Sequence, residues 1–114
     1  MSEEIWDHHV TRAGQVTTVA LSGEIDMSVG GDVFRVMAEE LRRSGTETVR
    51  IDLSAVSFLG SAGLQALVKA RKLADAQCQR LVVTGAKGLP RQVLETTGLL
   101  TLLGETEPGL RANN

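Results

Sequence analysis

A single cysteine, Cys78, stands in a chain of 114 residues, so no internal disulfide can form. Histidine is almost as scarce: His8 and His9 are the whole complement, side by side, and offer no spacing suited to a metal site. Cys78 is therefore read as a plain buried or boundary residue, and the histidines as half-exposed strand residues. Trp6, the one tryptophan, is assigned to packing at a sheet edge. An excess of positive charge is also lacking, since 12 Lys and Arg against 14 Asp and Glu give a net charge of −2 with the two signs interspersed. Phosphate backbones and anionic lipid surfaces are held by clustered cations, so direct nucleic-acid and membrane partners are excluded. No apolar run approaches the ~20 residues of a membrane span. The acidic start Met1-Ser2-Glu3-Glu4 is unlike a secretory leader. The expected location is the cytoplasm.

What is present is the composition of a globular protein that folds unaided, 42 % apolar and 23 % charged. The length suits one compact core. Residues 1–104 are assigned to the domain and the polar stretch 105–114 to a frayed tail.

Residues 5–10 and 15–21 have strand character and flank Arg12-Ala13-Gly14, which predicts a β-hairpin. Both alternating sets of the second strand, Val16, Thr18, Ala20 and Ser22 against Thr17, Val19 and Leu21, include apolar groups, so this strand is expected inside a sheet. After a turn at Ser22-Gly23-Glu24, Ser28 is a candidate N-cap and Asp32 suits the first turns of a helix. Val29, Val33, Val36, Met37, Ala38 and Leu41 then recur at helical spacing. Arg35, Glu39, Glu40, Arg42 and Arg43 take the solvent side, and Ser44-Gly45 ends the helix. A third strand starts at Thr48 and runs through Ile51 and Leu53 to Leu59. The small-residue turn Gly60-Ser61-Ala62-Gly63 opens a second helix, with Leu64, Ala66, Leu67, Ala70, Leu73 and Ala74 inward and Lys69, Arg71, Lys72 and Asp75 in water. Residues 80–84 read as a short strand. Pro90 is placed at the first position of a third helix that Gly98 closes, with Val93 and Leu94 facing inward. Leu99, Leu100, Leu102 and Leu103 are assigned to the core, with weak self-association as their lesser use. The order β-β-α-β-α-β-α predicts an α/β domain, a mixed sheet with an N-terminal β-hairpin and parallel strand-helix-strand units. It leaves the strand order open.

Open α/β sheets place their sites at the carboxyl ends of strands. Two loops qualify, Ser22-Gly23-Glu24-Ile25-Asp26 and Phe58-Leu59-Gly60-Ser61-Ala62-Gly63. In the second, Ser61 stands where helix amides converge, and the nearby glycines leave its hydroxyl uncovered, so a phosphate attached there would be well received. A serine at a helix start also serves as a plain N-cap. Catalysis fits poorly. A nucleophile elbow needs Gly-x-Ser-x-Gly, and the position two before Ser61 is Leu59. His8 and His9 lie on the first strand with no carboxylate to orient them. Gly30-Gly31 falls in a helix start, and Gly85-Ala86-Lys87-Gly88 lacks the spacing of a phosphate-binding loop. No enzymatic activity, metal or cofactor is expected.

Three segments together resemble the STAS domain. Leu21-Ser22-Gly23-Glu24-Ile25-Asp26 is similar to the stretch after its second strand. Ile51-Asp52-Leu53-Ser54-Ala55-Val56-Ser57-Phe58-Leu59-Gly60-Ser61-Ala62-Gly63-Leu64 resembles its strand-turn-helix signature, and Val93-Leu94-Glu95-Thr96-Thr97-Gly98-Leu99 its closing helix and glycine. The likeness follows the chain in order over nearly its whole length. It points to the bacterial anti-sigma factor antagonists, whose turn reads Asp-Ser-Ser/Thr-Gly. There the first serine is phosphorylated by a partner that is both kinase and anti-sigma factor. By position that serine is Ser61, while Gly60 replaces the acid and Ala62 the second hydroxyl. The resemblance implies a partner interface of Asp26, Met27, Ser28, Leu59, Gly60, Ala62 and Gly63. It also implies partner switching: the unmodified chain sequesters a serine-kinase-type anti-sigma factor and frees a sigma factor, and a phosphatase resets the switch. The free chain is expected to be a monomer or weak dimer. The alternative is a STAS accessory subunit of a larger transport or signalling assembly, without phospho-switching, which the missing acid at Gly60 favours.

Overall fold

The computed structural model describes residues 6–103. The elements in order are β1 (Trp6–Ala13), β2 (Val16–Ile25), α1 (Gly30–Leu41), β3 (Thr48–Leu59), α2 (Ser61–Ala76), β4 (Arg80–Thr84), α3 (Gly88–Thr96) and α4 (Leu99–Leu103). A single 3-10 turn, Met27–Val29, leads into α1. The strands lie in the order β1-β2-β3-β4, with β1 antiparallel to β2 and the other two pairings parallel. The expected mixed sheet is present, and its open question has the simplest answer: each crossover returns the chain to the neighbouring position. Gly14, at φ +62, takes the first place of the two-residue hairpin loop, where the twist of the flanking strands calls for positive φ. Arg12 and Ala13 extend β1 opposite Thr17 and Val16 instead of turning.

Burial alternates along the strands. In β2, Thr17, Val19, Leu21 and Ile25 are buried, whereas Val16, Thr18, Ala20 and Ser22 are half-exposed. The strand is interior by pairing, as expected, yet only one of its faces is buried. Val49, Ile51, Leu53, Val56 and Leu59 of β3, with Leu81 and Val83 of β4, continue that face. Val33, Met37 and Leu41 of α1, Ala66, Leu67, Ala70 and Ala74 of α2, Leu94 of α3 and Leu103 of α4 join it in one core. A fully buried leucine in such a core contributes about 1.5–3 kcal/mol. The leucine run left open by the sequence is α4, with Leu103 buried and Leu99 and Leu100 packed partly against the core. The side chain of Leu102 and the tail 105–114 lie outside the described residues.

Several local expectations are corrected. Glu40, assigned to solvent, is 5 % exposed. Arg12 donates to it from Nε and Nη2 at 3.2 and 3.0 Å, and Arg43 Nε donates at 3.2 Å. Desolvation pushes the Glu40 carboxyl up, but the hydrogen bonds and charges of Arg12 and Arg43 outweigh it and hold the group below the usual glutamate range. α1 stops at Leu41, short of Ser44-Gly45, and the Leu41 carbonyl accepts from the side-chain amides of Gln77 and Gln79 at 2.9 and 2.7 Å. Cys78 is exposed, not buried, at φ 59 just past the C-cap Gln77 of α2. Helices commonly end in one such left-handed residue, so the turn and not the thiol explains its position. His8 and His9 are fully on the exposed side, and the half-buried Trp6 ring stacks on His8 at 5.8 Å. Pro90 is the third residue of α3 and buried; its missing N–H still falls among the amides that no helix bond uses.

Candidate functional site

The parallel strands β2 and β3 end level, with Ile25 paired to Leu59. One backbone bond ties their exits, from Gly60 N–H to the Ile25 carbonyl at 2.9 Å. Asp26 and Ser61, in separate loops, therefore introduce neighbouring helices at the carboxyl end of the sheet. Two glycines let those helix starts close up. A Cβ on Gly30 would lie 2.8 Å from Ala62 Cβ, and one on Gly63 would lie 2.7 Å from Leu59 Cδ1 and 2.8 Å from Ile25 Cγ2. Neither position has room for a side chain.

The two starts are built differently. Asp26, not Ser28, is the cap here, and it caps the 3-10 turn before α1, whose own N-cap Val29 makes no side-chain bond: Asp26 Oδ1 accepts from the Ser28 amide at 2.9 Å and the Ser28 hydroxyl at 2.7 Å, an Asx turn. The hydroxyl, and after it the amide, hold the Asp26 carboxyl below the usual aspartate range. α2 has no side-chain cap. Its N-cap is Gly60, extended at φ −88 and ψ −177, and Ser61 is its first helical residue, so the plain-cap reading of Ser61 is corrected. The Ser61 side chain is exposed. The helix ladder opens with Leu64 N–H donating to the Gly60 carbonyl at 3.0 Å. That leaves the amides of Ser61, Ala62 and Gly63 without a helical partner, at the positive end of the helix dipole.

Of the residues expected at an interface, Met27 is 81 % exposed and Ser28 is exposed, while Asp26, Gly60 and Ala62 are partly so. Leu59 and Gly63 are buried and support this surface from beneath. One exposed side chain lies outside the expected set. Phe58 projects into solvent with its Cε2 only 3.2 Å from the place a Cβ on Gly60 would occupy. Strict alternation would not predict this. A register shift between Gly23 and Glu24 breaks the period, so that Val56 and Leu59 are both buried with Ser57 and Phe58 exposed between them.

A family model described as "Mlab, STAS domain" matches residues 8–104. The chain belongs to the STAS-domain family. An anti-sigma factor antagonist from Mycobacterium paratuberculosis is 30 % identical to this STAS domain at a TM-score of 0.78, with 92 % of this chain and 87 % of that one covered. The anti-sigma factor antagonist SpoIIAA in its unphosphorylated form is 14 % identical at a TM-score of 0.75, with 90 % of each chain covered. The Bacillus cell fate determinant SpoIIAA in its phosphorylated form is 14 % identical at 0.68, covering 90 % of this chain and 93 % of that one. At that identity the last two likenesses speak for the fold alone. Among the described residues, no helix is long and apolar enough to cross a membrane.

Proposed function

We propose that this STAS domain is an anti-sigma factor antagonist acting in the cytoplasm, a binding module and not an enzyme. With Ser61 unmodified it sequesters a serine-kinase-type anti-sigma factor and so frees a sigma factor. The observation that carries this reading is the state of Ser61: an exposed hydroxyl at the first position of α2, beside three amides that the helix does not use. The 30 % identity to an anti-sigma factor antagonist over 92 % of the chain supports the antagonist reading.

In the modification step the Ser61 oxygen bonds to the terminal phosphorus of the kinase's ATP, its proton is lost, and ADP leaves. A phosphatase reverses the change by hydrolysis. The new group brings about −1.5 to −2 charges and three acceptor oxygens. At the first turn of α2 the dipole and the unused amides receive them, and the fold is unchanged. A partner packed on Met27, Gly60 and Ala62 meets instead a dianion near the ionised Asp26. Like-charge repulsion and desolvation oppose docking, and the phosphorylated form is released.

The test is incubation with each candidate anti-sigma kinase and ATP, location of phosphate by mass spectrometry, and comparison of kinase binding by wild type, Ser61→Ala and Ser61→Asp. Phosphate on Ser61, with binding kept by alanine and lost by aspartate, is expected. The absence of a carboxylate at position 60 favours a second reading, an accessory subunit of a larger assembly in which Ser61 is only a contact. No phosphate from any kinase and equal binding by all three proteins would decide for it.

A further inference from the structure

Three large apolar side chains are exposed among the described residues, Met27, Leu89 at 61 % and Phe58 at 45 %. Two of them border the serine turn. Phe58 lies against Gly60, directly before Ser61, in space that a side chain at position 60 would contest. Met27 shares with Ala62, directly after Ser61, the wall of a cleft of about 120 Å³ between the starts of α1 and α2. Methionine adapts its shape to apolar partners, and aromatic residues are favoured anchors at interface centres. At the far end of the cleft the Lys69 ammonium sits 5.8 Å above the Phe34 ring. Ser61, Gln65 and Lys69 recur every four residues and so form one exposed row along α2. Arg35, Arg71 and Arg91 on the helices, and Arg43 just past α1, each pair with a carboxylate. Lys69 has no such pair among the described residues, and no carboxylate lines the cleft it borders.

Resting on the antagonist reading, we infer the chemistry of the partner. Its docking surface is apolar where it closes on Met27 and Phe58, on either side of the switch serine, and it sets a carboxylate against Lys69 at the margin. Where the related turn carries an acid before the serine, this chain offers an aromatic ring, and Gly60 leaves that ring its room. Selection among kinase-type partners then rests on apolar fit next to Ser61 and on one charge about two turns along α2.

The experiment measures, by calorimetry at low and high salt, the affinity of each purified serine-kinase-type anti-sigma factor of the same organism. It compares wild type, Phe58→Ala, Met27→Ala, Lys69→Glu and Ser61→Asp, with Arg42→Ala at the far end of α1 as control. Urea midpoints confirm that each variant is folded, and Phe58→Ser and Met27→Ser serve as second substitutions at the same positions. The expected result is at least a tenfold loss for each of the first three variants, shrinking at high salt only for Lys69→Glu, with the control unchanged. Binding that Ser61→Asp abolishes but Phe58 and Met27 variants leave intact overturns this surface and leaves the antagonist reading standing. Binding of no anti-sigma factor by wild type overturns both. Self-association of the wild type that Met27→Ala removes would assign the surface to a second copy of the chain and overturn the proposal.

Discussion

α1 and α2 begin in contact with one another and both bury an apolar face in the one core, yet the polar groups at their ends differ. α1 adds ionic contacts to its buried Val33, Met37 and Leu41: Asp26 clasps Ser28 in the turn that leads into it, and Glu40 near its exit is bound by Arg12 of β1 and by Arg43. α2 carries no side-chain cap and is seated through Leu67 and the buried small residues Gly63, Ala66, Ala70 and Ala74. The difference separates two duties. A helix fixed by shape keeps its first-turn amides and the Ser61 hydroxyl uncommitted, so charge can be added there without displacing a partner. The ionic contacts at the ends of α1 add to its apolar packing a contribution that depends on pH.

The sharpest way to break the contrast is Gly63→Val. Its Cβ would lie within 2.8 Å of both Leu59 and Ile25, so the start of α2 has to move off the sheet. The expected loss is about 3 kcal/mol in urea unfolding, which lowers the thermal midpoint by roughly 10–20 °C. Gly31→Ala meets nothing within 4 Å and is the matched control on α1, expected to change stability by less than about 1 kcal/mol.

Ser61→Asp tests the other half of the contrast. A carboxylate at the first turn of an uncapped helix suits the dipole, so stability should stay within about 0.5 kcal/mol of wild type. Affinity for the proposed anti-sigma partner should fall roughly a hundredfold, about 2.7 kcal/mol. Comparable losses of both quantities would mean that the turn is structural and not a switch.

Arg12→Ala weakens the charged fastening of α1. Arg12 is 45 % exposed, so solvent screens the pair and the expected loss is about 1 kcal/mol at neutral pH. The folded Glu40 carboxyl lies below its unfolded value. Its contribution is therefore complete above the ordinary glutamate pKa of about 4.3 and disappears as pH falls through the lower folded value. The gap between wild type and Arg12→Ala should narrow over that acid range in urea titrations. A gap independent of pH would assign the Arg12 effect to packing of its aliphatic stem.

The same contrast explains which features could be read in the sequence. Periodicity in Val33, Met37 and Leu41, and in Ala66, Ala70 and Ala74, reports burial directly, and the glycine-flanked turn at Ser61 marks a strand-to-helix exit. Those signals are local. Glu40 looked like a solvent residue because its burial depends on Arg12, 28 positions away on an edge strand, and no helical pattern carries that pairing. Asp26 rather than Ser28 takes the cap because a 3-10 turn, Met27–Val29, precedes α1. Phe58 escaped the interface set because a register shift in β3 exposes two successive residues, and a shift of that kind is set by the neighbouring strand.

The smallest expected effect distinguishes charge from shape at the entry to α1. Asp26→Asn keeps a side-chain oxygen able to accept from the Ser28 amide, but it removes the negative charge that the Ser28 hydroxyl and amide stabilise. The folded Asp26 carboxyl is depressed, so its extra stabilisation is present above the ordinary aspartate range and is lost as pH falls through the folded value. The asparagine variant should therefore melt slightly below wild type at pH 7, and the two curves should merge on acidification past that range. If the difference persists unchanged in acid, the cap works through side-chain geometry alone. α1 would then be fastened at its entry by shape, as α2 is, and only the Glu40 end would keep the two helices apart in kind.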